Sequence, residues 1–326
     1  MPLQMAVSAV DGAMFDSDRI LADVNFGSAH KLDADPRRVQ IGLPPLGETR
    51  LAERWISTRP TETGRENEIA FATDGRFLFG HILLDETAEG HLETIGHHAY
   101  AKILDCLQAF GGLNLLRIWN YLGTINQEQD GLERYRSFCI GRARALAAKG
   151  IADRMLPAAC AVGASAPGLM VSFLAAPDSG RQVENPRQLS AFRYPSRYGP
   201  KSPSFSRALT YQMTPDQSLL FISGTASIVG HETRHPGSIE DQFAETCRNL
   251  EAVQDAAGDQ QTLQSIRVYI RHAYQAPAII AACKRQFGDR VAVIPLLSAI
   301  CRRDLLLEIE GLALGNGQAA TPTHRF

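Results

Sequence analysis

An internal duplication constrains this chain more than any other feature. In the first copy, Arg76–Leu84 (RFLFGHILL) has the composition of a strand, and Thr94–Phe110 carries helical apolar spacing at Ile103, Leu104 and Leu107. Gly111-Gly112 stops that helix. The strand LLRIWNYL follows, then a helix over Gly131–Ala148 and two apolar strands, PAACAVGA and GLMVSFLAA. The second copy repeats the order: strand LLFISGTASI, helix Ile239–Ala257 stopped at Gly258, strand QSIRVYIRH, helix Tyr274–Phe287, and strands VAVIPLLSAI and LLLEIEGLAL. Arg117-Ile118-Trp119 and Arg267-Val268-Tyr269 occupy the same slot in the two copies. Each copy therefore reads β-α-β-α-β-β over about 100 residues, a duplicated α/β (α+β) unit.

This assigns residues 61–176 to a central domain and 204–315 to a C-terminal domain. Between them, 177–203 holds five prolines with Gly180 and Gly199, the composition of a connecting loop. Residues 1–60 form an N-terminal domain whose short apolar pieces, cut by Asp, Pro and Gly, show no clear periodicity; Leu43–Arg50 reads as a loop. The tail 316–326 is expected to be disordered.

A formal net charge of −2 gives no field to attract nucleic acid or an anionic membrane. No apolar run reaches the length that spans a bilayer, and the opening MPLQMAVSAVDGAMF makes a poor signal peptide. The six scattered cysteines include no CxxC pair and lie in apolar stretches, as expected of free thiols in a reducing, cytoplasmic setting.

Four motifs bear on chemistry. His231-Glu232-Thr233-Arg234-His235 fits HExxH, but a zinc pair needs helical spacing, and Gly230 and Pro236-Gly237 bracket the string in a loop, so no metal is assigned. In LLLEIEGLAL, strand alternation puts Glu308 and Glu310 on one face and Leu307 and Ile309 on the other. A solvated edge strand would explain the pair, yet the matching strand of the first copy carries Ser172 in place of Glu308, as expected if only one copy kept an active site. Tyr135, Phe138 and Arg142 share one helix face, either as a half-buried helix with a snorkelling arginine or as a ligand wall. The segment RYPSRYGPKSPSFSRA sets Arg193, Arg197, Lys201 and Arg207 among aromatics, as solvated charges or as a carboxylate clamp. Gly224, in ISGTAS, allows close approach of a ligand or backbone.

The second copy resembles the RidA/YjgF family through LFISGTAS, the helix–strand run EDQFAETCRNLEAVQDAAGD…IRVYIRH, and the terminal EIEGLAL. That resemblance implies a mixed sheet with two helices on one face. RidA-like imine deaminases carry an arginine in the strand before EIE; VIPLLSA has none, which counts against imine deamination. The whole chain resembles the chorismatase family, through its GLERYRSFCIGR helix, YGPKSPSFSRA loop, ISGTASIVGHE, and a cysteine seven residues before Glu308. The resemblance implies a monomer with pseudo-threefold symmetry and a site between the central and C-terminal copies. It implies catalytic Glu308 and Cys301, and substrate-binding Tyr135, Arg142, Arg207 and Gly224.

Chorismate is a dicarboxylate with an enolpyruvyl ether, so two anionic groups call for two cationic clamps, Arg142 and Arg207. Protonating the ether's methylene carbon needs an acid, and Glu308 in an apolar strand suits it. No metal or organic cofactor is needed, and the expected partner is the small-molecule substrate alone. The resemblance associates Cys301 and Gly224 with aromatic products, hence 3-hydroxybenzoate with pyruvate, with 4-hydroxybenzoate as a further product. Hydrolysis to a dihydroxycyclohexadiene acid, imine deamination and non-catalytic metabolite binding are the alternatives. A turn at Arg302-Arg303-Asp304 is expected to fold the last two strands into a hairpin that brings Cys301 to Glu308.

Overall fold

The computed structural model describes residues 1–10, 17–86, 91–258 and 261–316. Three sheets divide the chain. The first contains β1 (Leu3–Ala9), β2 (Ile20–Phe26), β3 (Lys31–Leu32), β4 (Arg38–Ile41) and β5 (Leu51–Ser57), in the order β1-β5-β2-β4-β3. The second contains β6 (Glu62–Glu66), β7 (Ile69–Thr73), β8 (Leu78–Leu84), β9 (Asn114–Gly123), β12 (Ala158–Ala164) and β13 (Leu169–Ala176). The small hairpin β10 (Glu128–Gln129) and β11 (Leu132–Glu133) stands apart from it. Helices α1 (Leu92–Ala109) and α2 (Arg134–Ala148) cover this sheet.

The third sheet is built from β14 (Arg181–Val183), β15 (Ala208–Thr214), β16 (Gln217–Thr225), β19 (Gln261–Ile270), β20 (Ala292–Leu297) and β21 (Leu307–Asn316). Helices α3 (Ile239–Ala257) and α4 (Ala276–Phe287) cover it, and β17 (Ile228–Val229) pairs with β18 (Glu232–Thr233) beside it. Helix α3 begins where Ser238 Oγ accepts the Asp241 N–H, an N-cap, and ends at Gly258, whose φ of 72° a residue with a Cβ adopts only with strain.

The duplication is visible strand for strand. The orders β6-β7-β8-β13-β9-β12 and β14-β15-β16-β21-β19-β20 superimpose, each with one parallel pair, β9 with β12 and β19 with β20. Arg117 lies opposite Leu174 where Arg267 lies opposite Glu310, and Trp119 opposite Ser172 where Tyr269 lies opposite Glu308. Ser172 and Glu308 thus hold the same position.

The N-terminal sheet is a third, reduced version of the unit. Its run β1-β5-β2-β4 has the same antiparallel, antiparallel, parallel sequence of pairings as β16-β21-β19-β20. Between β2 and β4, the connection 27–37 stands where the C-terminal unit has the 12-residue α4, so this stretch offers no 3.6-residue period to detect.

The sheets close on one another in a ring. Ala158 bridges Ser206, Pro45 bridges Leu296, and Ser165 N donates to Gly42 O, joining each unit to the next. One shared core fills the middle. Trp55, Trp119 and Phe221, one from each unit, meet there, with Trp55 6.5 Å from Trp119 and 6.1 Å from Phe221 between ring centroids. Two further cores lie between the helices and the two larger sheets.

Several expectations need correction. The expected helix Gly131–Ala148 starts at Arg134, because Gly131 (φ 78°) turns the β10–β11 hairpin. The 177–203 connection supplies edge strand β14 and wall residues of a cavity. Strand β21 is not a solvated edge: it lies between β16 and β19, with Glu308 and Glu310 buried. Finally, β20 and β21 form no hairpin. A turn does occur at Cys301–Asp304, but β19 separates the two strands. The disordered tail expected at 316–326 lies, beyond Asn316, outside the described residues.

Candidate active site

The junction between the central and C-terminal units encloses a cavity of about 710 Å³. Tyr135, Arg142, Arg207, Gly224, Cys301 and Glu308 all line it. Tyr135 and Arg142 project from α2 of the central unit, and Glu308 from β21 of the other. The wall between is strand β12, through Ala159, Cys160 and Ala161. The seam is stitched at that strand: Ala159 N donates to Ser223 Oγ (2.9 Å), which donates to Ser206 O (2.6 Å).

Glu308 owes its place to Gly224. The β16–β21 register slips between Ile222 and Thr225, a bulge at Ser223-Gly224. A Cβ on Gly224 would overlap the Glu308 carboxyl, so glycine leaves the room in which that group sits. The close approach expected at this glycine is therefore to a side chain of the same unit. Glu308 is 5% exposed and makes no hydrogen bond or ion pair with any described residue. Burial, then the neighbouring Glu310 carboxylate, push its carboxyl from an ordinary 4.5 up to about 8, against the pull of Arg117 and Arg207.

Two arginines face this acid with donors to spare. Arg142 is 1% exposed; its Nη2 lies 3.6 Å from Cys139 Sγ and its Nε has no partner. Arg207 is buried between the rings of Tyr194 and Phe205, donating from Nη2 to Leu189 O and Tyr194 Oη at 2.7 Å each, with Nε unpartnered. Among the described residues no carboxylate pairs with either. A buried guanidinium without a counter-ion is costly, and a bound anion offsets that cost.

Cys301 is half-buried on the cavity wall, and burial followed by the nearness of Glu308 pushes its thiol up to about 12, so it is a neutral thiol. Tyr135 is likewise held neutral, raised well above its ordinary value by burial.

Sequence reasoning missed part of the wall. Arg302 stacks over Tyr198 (4.1 Å) and Tyr194 (5.2 Å) and donates to His231 O (2.9 Å). Its place directly after Cys301 was the available signal. Of the loop cations, buried Arg207 and exposed Arg197 line the cavity, whereas Arg193 and Lys201 do not. The HETRH string supplies strand β18 of the β17–β18 hairpin, with Arg197 Nη2 2.9 Å from His231 Nδ1; its histidines do not have helical spacing.

Residues 53–175 match the family described as chorismatase FkbO/Hyg5-like, N-terminal. A 3-hydroxybenzoate synthase from Streptomyces hygroscopicus is 33% identical over 313 residues, 90% of this chain and 92% of that protein. A chorismatase from Streptomyces rapamycinicus is 38% identical over 276 residues, 80% of this chain and 81% of that one. A crystal structure of a chorismatase superposes with a TM-score of 0.86 at 31% identity, covering 95% of this chain and 98% of the other.

Proposed function

The chain belongs to the chorismatase family, and from that premise we propose that it cleaves chorismate to pyruvate and 3-hydroxybenzoate with Glu308 as the proton donor. The observation that carries the reading is a buried carboxyl, pushed to about 8, facing a cavity whose two buried arginines have no acid partner among the described residues. At neutral pH that carboxyl holds a proton, and the arginines accept the two carboxylates of the substrate.

Glu308 gives its proton to the methylene carbon of the enolpyruvyl ether, creating an oxocarbenium centre on the side chain. The neighbouring ring hydroxyl oxygen then displaces the ether oxygen, forming an arene oxide and releasing pyruvate. The hydroxyl proton returns to the Glu308 carboxylate. Opening of the arene oxide with loss of a ring proton yields 3-hydroxybenzoate, and the products account for every atom of chorismate without added water. Cys301, a neutral thiol on the wall beside Glu308, is placed to steer the ring intermediate toward the aromatic product.

Lining residues from the central and C-terminal units of a single chain support action as a monomer. Among the described residues, the cysteines are all free and no helix is long and apolar enough to cross a membrane, which supports action in the reducing cytoplasm. Incubating the pure protein with chorismate should release pyruvate and 3-hydroxybenzoate in equal amounts. Glu308→Gln should lower turnover by roughly 10²–10⁴-fold, a general acid's usual contribution, while chorismate still binds. Near-normal turnover in that variant would remove Glu308 from the role.

A further inference from the structure

Behind Glu308, at the centre of the ring of sheets, lies a buried ion network to which every unit contributes. Glu53 comes from the N-terminal unit, Arg117 from the central unit, and Arg267 and Glu310 from the C-terminal unit. All four are at most 4% exposed. Arg267 donates from Nε and Nη2 to the two Glu53 oxygens, at 2.9 and 2.8 Å, and its Nη1 lies 3.3 Å from Glu310 Oε1. Arg117 pairs with Glu310 Oε2, and Trp119 Nε1 donates to Oε1 at 2.9 Å.

Two guanidinium groups and two carboxylates cancel. Burial alone would raise Glu310, but Arg117 and Arg267 outweigh it and keep it charged. The network therefore leaves no cation over for a third carboxylate, and Glu308 stands two residues along the same strand on the same face. We propose that Glu53, Arg267, Glu310 and Arg117 act as one positioning device that keeps Glu308 protonated between turnovers, and that this is the contribution of the N-terminal unit to catalysis.

The groups facing Glu308 agree with this. On its own strand is the Glu310 anion; from β9 comes Arg117, already paired. Cys160 of β12, Tyr269 of β19 and Cys301 before β21 are neutral, each raised first by burial. Of the cavity's two buried arginines that make no ion pair among the described residues, Arg207 is the one whose charge opposes the proton on Glu308. A substrate carboxylate on Arg207 takes up that charge, so binding strengthens the hold on the proton at the moment it is needed.

The inference rests on Glu308 being the donor, and its test is spectroscopic so that the two fail separately. The protonated-carboxyl C=O stretch of Glu308, identified by its loss in Glu308→Gln, is followed by infrared difference spectroscopy against pH. In the wild-type protein the band should persist through neutrality and titrate near 8. Glu310→Gln removes the neighbouring anion and leaves two arginines for one carboxylate, so the midpoint should fall by at least about one pH unit. Glu53→Gln alters a residue that lines no part of the cavity and should shift the midpoint the same way by less. Melting curves establish that each variant is folded. An unchanged midpoint in either folded variant overturns the proposal. So does a wild-type band already lost below pH 6, a result that needs no variant. Retained turnover in Glu308→Gln would instead sink the donor reading and leave the titration standing.

Discussion

Replacing Glu308 by glutamine should disable the enzyme and, at neutral pH and above, stabilise it. The reason is linkage. In the unfolded chain Glu308 ionises at its ordinary 4.5, whereas in the folded protein it stays protonated up to about 8. A group whose folded value is raised favours folding fully below the unfolded value and loses that contribution as pH rises toward the folded one. From pH 5 to 7.5 the unfolded state gains the ionisation and the folded state does not. At about 1.4 kcal/mol per pH unit, the wild-type protein should lose roughly 3 kcal/mol over that window through this residue alone. Glutamine keeps the shape and has no proton to hold, so the variant does not suffer this loss. Urea denaturation of both proteins at pH 5 and pH 7.5 gives the comparison directly. The stability difference should move by roughly 3 kcal/mol in favour of the variant between the two pH values. A difference constant with pH means that Glu308 ionises normally in the folded state, and the case for it as an acid at neutral pH falls with it.

Arg142→Ala and Arg207→Ala should each weaken binding of a non-reactive dicarboxylate analogue by about 1.5–3 kcal/mol, the value of a charged hydrogen bond, as calorimetry would read; wild-type affinity in both places the clamp elsewhere. Gly224→Ala puts a methyl where the Glu308 carboxyl sits, and a displacement near 1 Å should lower kcat by about 10²-fold, so an unchanged kcat would show that the carboxyl's position does not matter. Cys301→Ala should leave chorismate consumption substantial but shift product from hydroxybenzoate toward the hydrolytic dihydrodiol. Pyruvate and aromatic acid measured together decide it: a parallel fall assigns the thiol a structural role, and no change makes it a bystander.

What the sequence determined by itself is whatever has a short period or a local stop. Helix α1 announces itself through helical apolar spacing ended at Gly111, α3 through its stop at Gly258, and the strands between the helices through apolar runs. Because the pattern occurs twice, the position shared by Ser172 and Glu308 was legible before any coordinate, and with it the asymmetry between the two copies. Alternation likewise put Glu308 and Glu310 on one face. Their different states were not legible, because these depend on partners far away in the chain. Glu310 is charged because Arg117 reaches it across 193 positions, and Glu53 satisfies Arg267 across 214. The space for the Glu308 carboxyl exists because Gly224, on another strand, has no side chain. The N-terminal unit shows the same limit: β1 pairs with β5 some forty residues on, and the stretch between β2 and β4 holds no helix to give a period. Strand order and charge pairing are properties of long-range closure, and sequence patterning carries only the local half of them. Which carboxyl keeps its proton was therefore decided by the tertiary structure, where burial and neighbouring charge set the energy of ionisation.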